Sequence, residues 1–177
     1  FNAYDFRAKD LGNAYTKLNN LSLAAMGFRD ELVKSGILRK NGMAYIGRDG
    51  VAVITMVKDP RAKEARFNFT KPMAMHEIRH GLYFTNPNFR AEVQKIYNGL
   101  SFQSKTFVKT WLKNKGYDVN NLDLLIREFA AYFVQGLAGE KIGNDLQVAG
   151  DKLLEIEEPY VAELFGKKVP DRSLDSV

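Results

Sequence analysis

The sequence predicts a mostly helical α+β fold with a small β-sheet. Three observations carry this. Apolar residues recur at three- and four-residue steps over long stretches near both ends of the chain. Short apolar segments bounded by glycine lie between them, over residues 43–57. The chain has 177 residues and is 45% hydrophobic, which suits one globular domain with a sizeable core. We expect that domain to span residues 1–166, with residues 167–177 as a polar tail.

Residues 3–36 read as helical, because Leu11, Ala14, Leu18, Leu21, Ala25, Phe28 and Leu32 follow helical spacing up to Ser35-Gly36. Met43 to Ile46 and Val51 to Val57 read as two strands of a hairpin turning at Gly47-Arg48-Asp49-Gly50. "ARFNFT", residues 65–70, alternates and predicts a third strand. A helix follows, with Thr70 as its cap and Pro72 in its first turn, stopping at Asn86-Pro87. Gly81 weakens it slightly. Residues 88–98 and 101–115 predict two more helices, joined at Gly99-Leu100. Another runs through "NLDLLIREFAAYFVQGL", residues 121–137, and a last one from Asn144 to Phe165, bent or broken before Pro159. No internal repeat or low-complexity segment is visible.

Composition narrows the chemistry. There is no cysteine, so a disulfide framework, a thiolate metal site and a cysteine nucleophile are excluded. No apolar run approaches the roughly 20 residues of a membrane span. The net charge of +5 is spread over small clusters such as Arg61/Lys63, Lys113/Lys115 and Lys167/Lys168. No basic stripe interleaved with aromatics appears, so the charge reads as solvated surface and no nucleic-acid partner is expected. The chain begins at Phe1 without methionine or signal peptide, which we read as a processed or cut form, leaning toward a secreted or envelope setting.

The chain's two histidines both fall in "KPMAMHEIRHGLYFTNP", as His76-Glu77-x-x-His80. Two histidines placed at random would fall four apart roughly 1% of the time, and a glutamate after the first makes coincidence rarer still. On a helix, residues four apart share one face. His76 and His80 can then present imidazole nitrogens to one ion, while Glu77, rotated by about 100°, stands beside it as a general base. Zinc suits such donors and keeps a position open in catalytic sites.

No third histidine exists, so a third protein ligand has to be a carboxylate. Glu128 is the leading candidate. Leu122, Leu125, Ile126, Phe129, Phe133 and Leu137 form one apolar face of its helix, and Asp123 and Arg127 can pair on the solvated side. Glu128 lies on the flank between them, where a cleft wall would be. Glu140, Asp118 and Asp123 remain competitors. Tyr132, one turn after Glu128, leads Tyr83 and Tyr117 as a candidate donor that stabilises an oxyanion, and each of the three reads first as a packing or rim tyrosine. Arg79 reads as a salt-bridging residue on the helix surface, with binding of a substrate carboxylate as its functional alternative.

His76-Glu77-x-x-His80 followed far downstream by Glu128-Phe129-Ala130-Ala131-Tyr132-Phe133 resembles the gluzincin metallopeptidases, in the branch of the anthrax lethal factor catalytic domain and the MtfA-type peptidases. The resemblance covers the two helices. It implies a zincin-like domain, one zinc per chain held by His76, His80 and Glu128, and Glu77 as base. It further implies a peptide or protein substrate that pairs with an edge strand of the small sheet, either Met43 to Ile46 or Val51 to Val57. The competing expectations are a non-catalytic zinc-binding interaction module of the same fold and a metal-free helical protein. An intact Glu77 argues against the module, because a structural site needs ligands and no base.

Overall fold

A computed structural model describes residues 3–18, 20–56, 71–133 and 144–164. Among these residues the protein is a mostly helical α+β structure of seven helices and four strands. The strands form two separate antiparallel pairs. The chain divides into two compact units, Phe1–Pro87 and Asn88–Val177.

The first unit opens with strand β1 (Ala3–Arg7), not with a helix. Tyr4 and Phe6 alternate with Asp5 and Arg7, and aromatic residues favour a pleated surface. Helices α1 (Ala8–Lys17) and α2 (Leu23–Lys34) then replace the single helix expected over residues 3–36. Ser22 starts α2 by accepting the Ala25 N–H at 3.2 Å, satisfying a donor the helix itself leaves open.

The expected hairpin is also corrected. Strand β3 (Ala44–Gly47) pairs with β2 (Leu38–Asn41), and β4 (Ala52–Met56) pairs with β1. The tight turn is at Gly42-Met43, where Gly42 has a φ of 60° that suits a two-residue hairpin loop. The Gly47–Gly50 segment instead carries the chain from one strand pair to the other. The β1–β4 pair turns one face to a core of Leu11, Tyr15, Leu32, Leu38 and Val53, with Phe6 packed on it. Its other face carries helix α3 (Lys71–Thr85). The expected strand over residues 65–70, the Thr70 cap and Val57 lie outside the described residues.

Pro87, the last residue of the first unit, begins α4 (Pro87–Asn98), where its missing N–H costs nothing, and the rest of α4 lies in the second unit. Gly99-Leu100 joins α4 to α5 (Phe102–Asn114), capped by Ser101. Helix α6 (Leu122–Phe133) is capped by Asn121, whose Oδ1 accepts the Leu124 N–H at 3.1 Å. Helix α7 (Asn144–Leu164) is not broken at Pro159, which lies inside it; of the expected bend or break, the break is absent. Phe129, Val108, Leu112, Leu153 and Val161 form the fully buried centre of this unit. Leu122, expected on the apolar face of α6, is 59% exposed, because it sits in the first turn where the helix leaves the core. Leu137, Glu140 and the tail lie outside the described residues.

Candidate functional site

Helix α3 carries the H-E-x-x-H turn. A surface helix would leave its charged residues wet, yet His76 (8% exposed), Glu77 (7%), Arg79 (5%) and His80 (2%) are all buried. Burying so many polar groups in one turn costs free energy unless each is used or satisfied. Arg79 is therefore not the surface residue the sequence suggests, and Tyr83 is a core residue. His76 Nε2 and His80 Nε2 lie 3.0 Å apart, with the rings nearly perpendicular at 88°. Two ligands on a tetrahedral zinc, each at about 2.0–2.1 Å, would have nitrogens about 3.3 Å apart. The two imidazoles thus need to shift by only a few tenths of an ångström to share an ion, and the donor set fits zinc.

The same unit adds a residue that sequence reasoning missed. Asp5, on β1, joins Glu77 and His80 in a group whose donor atoms all lie within 4.8 Å of one another. Nothing in the local sequence marks Asp5. Only the pairing of β1 with β4 beneath α3 brings it there.

In the second unit Glu128 is 4% exposed, buried rather than on a solvated flank. Phe129 and Phe133 hold α6 in place. Their rings lie 5.4 Å apart, and Phe129 meets Tyr97 edge-on at 5.4 Å. Arg127, expected on the wet face, is mostly buried, with its guanidinium 4.0 Å from the Glu128 carboxylate. Asp123 is exposed. The competitor Asp118 is exposed too and is used locally, since its Oδ1 accepts the Asn120 N–H at 3.0 Å.

Tyr132 projects beside Glu128 into an aromatic group. Its hydroxyl lies 2.9 Å from that of Tyr117, and its ring packs edge-on against Trp111 at 5.0 Å. Tyr117 reaches this position through the end of α5. Gly116, with φ of 92°, turns the chain so that its own N–H donates to Lys113 O and the Tyr117 N–H donates to Leu112 O. Burial, the Tyr132 hydroxyl and the Glu128 charge together push the Tyr117 hydroxyl far above the usual tyrosine range, so it stays protonated and able to donate. Lys115 Nζ sits 4.3 Å over the Trp111 ring and 5.8 Å over that of Tyr132. The Gly116-Tyr117 pair was the available signal for this arrangement, since glycine just past a helix end predicts such a turn.

The structure thus brings His76, Glu77 and His80 together in the first unit, and Glu128, Tyr117 and Tyr132 together in the second. A separate cavity of 810 Å³ lies between α4 and α7, with Lys95, Leu100, Val148 and Lys152 in its lining, and holds none of these residues. No described helix is long and apolar enough to cross a membrane. Comparison of the chain with protein-family models, with curated proteins and with solved structures gives no match.

Proposed function

We propose that the protein is a zinc-dependent metallopeptidase of zincin-like fold. The observation that carries this reading is the 3.0 Å approach of the His76 and His80 Nε2 atoms on one buried turn, with Glu77 between them in sequence. His76, His80 and Glu128 would hold the metal. Glu128 is preferred to Asp118 because it is buried and anchored by core neighbours, whereas Asp118 is exposed and engaged in its own turn. Zinc, when bound, supplies a Lewis acid that polarises a carbonyl and lowers the pKa of a water toward about 7.

The protein's own groups do the rest. Glu77 takes the proton from the attacking water and returns it to the leaving amine, which general acid–base catalysis rewards by typically 10²–10⁴-fold. Burial excludes bulk water around Glu77 and strengthens its interactions. Tyr132, held by Tyr117, donates a hydrogen bond to the developing oxyanion. An extended peptide pairs with β4, which packs against α3 alongside β1; β3 belongs to the other strand pair.

The test is metal analysis joined to an activity screen. Zinc should be present near one per chain and be lost in His76→Ala and His80→Ala. Glu77→Gln should keep the zinc and lose turnover by about 10²–10⁴-fold. Zinc retained in both histidine variants, or undiminished cleavage by Glu77→Gln with contaminating protease excluded, would sink the reading.

A further inference from the structure

In the second unit, the corner between Trp111 and Tyr132 already holds a cation. The two rings lie 5.0 Å apart with their planes at 69°. Lys115 Nζ stands over both, 4.3 Å from the Trp111 centroid and 5.8 Å from that of Tyr132. Both distances fall within the roughly 6 Å reach of the attraction between an ammonium and an aromatic face. Among the described residues the Lys115 ammonium makes no ion pair and no hydrogen bond, although the carboxylate of Asp118 lies only three residues further along the chain. The walls of the corner are held from behind. Trp111 packs edge-on against the buried Phe133 at 5.7 Å, and the Tyr132 hydroxyl lies 2.9 Å from that of Tyr117. The corner opens outward, since Trp111 and Tyr132 are only half-buried and Lys115 is exposed.

Helical spacing explains only half of this contact. Lys115 follows Trp111 by four residues, which brings its side chain over the indole. The second wall, Tyr132, comes from α6 and owes nothing to that spacing. The fold does not need the Lys115 side chain either. Its backbone N–H ends α5 by donating to Trp111 O at 3.2 Å and Leu112 O at 3.1 Å, bonds that any residue makes. What the corner offers is two ring faces, each with a negative quadrupole, fixed before a ligand arrives. We propose that it is a binding site for an organic cation, an alkylammonium or guanidinium group, and that Lys115 is its internal occupant, displaced when the ligand enters. The tethered ammonium competes as an intramolecular ligand, so it weakens binding without abolishing it. This site goes beyond the peptidase reading and does not rest on it.

Trp111 is the only tryptophan in the chain, so its fluorescence reads this corner directly. The full chain, treated with a chelator, is titrated with tetramethylammonium chloride and separately with acetyl-arginine amide, at an ionic strength held constant with sodium chloride. Lys115→Ala, which empties the corner and leaves the backbone bonds in place, should show a saturable change in emission. The wild type should bind the same probe about 2–5-fold more weakly, the factor that one exposed cation–π contact supplies. Lys115→Arg refills the corner and should bind as the wild type does. A neutral probe of similar shape, tert-butanol, should give no saturable change. Tighter binding of tetramethylammonium assigns the site to a quaternary amine, and tighter binding of acetyl-arginine amide to an arginine side chain of a partner peptide; both outcomes support an organic-cation site. No saturable change in either the wild type or Lys115→Ala overturns the proposal. So does equal affinity in those two proteins, or tert-butanol binding as tightly as tetramethylammonium. The readout needs neither zinc nor turnover, so failure of the peptidase reading leaves this result intact, and absence of cation binding leaves the peptidase reading untouched.

Discussion

Gly81 follows His80 directly and lies inside α3, where glycine is a poor helix former. Replacing it with alanine should stabilise the helix by about 0.8–1.0 kcal/mol, because glycine loses more backbone freedom on folding. The structure decides whether that gain survives packing. The new methyl would meet Ile54 Cδ1 at 3.8 Å and Ala52 Cβ at 3.9 Å, which is ordinary van der Waals contact. Burying part of a methyl adds a few tenths, against a full value of about 0.8 kcal/mol. The sum is about 1–1.5 kcal/mol in favour of Gly81→Ala. For a chain of this size that corresponds to a rise in Tm of about 3–5 °C. Urea and thermal unfolding followed by circular dichroism, with a chelator present to remove any metal contribution, would measure it. A loss of stability above about 0.5 kcal/mol, beyond the usual range of a neutral substitution, would refute the described packing of α3 on β4.

Gly47 should behave in the opposite way. A Cβ there would overlap the Ala8 carbonyl and the Lys9 amide, both backbone, so Gly47→Ala must push α1 off β3 and should cost more than about 3 kcal/mol by the same unfolding assay. Asp145 tests the α5–α7 junction. It accepts from the Ser104 hydroxyl at 2.6 Å and the Ser101 N–H at 3.1 Å, and these bonds, Ser104 first, lower its pKa to about 2. Because the folded pKa lies below the unfolded one, the stabilisation is complete above about pH 4 and is lost as pH falls through about 2. Asp145→Asn should cost about 1 kcal/mol at neutral pH, a figure discounted for solvent exposure, and the difference from wild type should vanish toward pH 2. If Tyr132 stabilises an oxyanion, Tyr132→Phe should lower kcat by about 10²-fold and leave zinc content unchanged, as steady-state kinetics and metal analysis would show. An unchanged kcat would return Tyr132 to a packing role.

The local rules of the chain determined most of the helices. A 3.6-residue apolar period, Ser and Asn caps and Asn86-Pro87 mark α3 to α6 because these signals act within a turn or two. They also put His76 and His80 on one face, since that follows from helical spacing alone. Other local signals were present but outweighed. Asn41-Gly42 marks the β2–β3 turn, and the alternating Tyr4 and Phe6 mark β1, yet helical periodicity downstream ran over the second. Only the tertiary structure decided the rest. Which strand pairs with which depends on contacts between residues far apart in sequence, so Gly47–Gly50 could look like a hairpin turn without being one. Burial of Glu128, Arg79 and Arg127 depends on what packs over each helix flank, which periodicity cannot reveal. Asp5 reaches His80 and Glu77 because β1 pairs with β4 under α3, bringing together residues more than 70 positions apart.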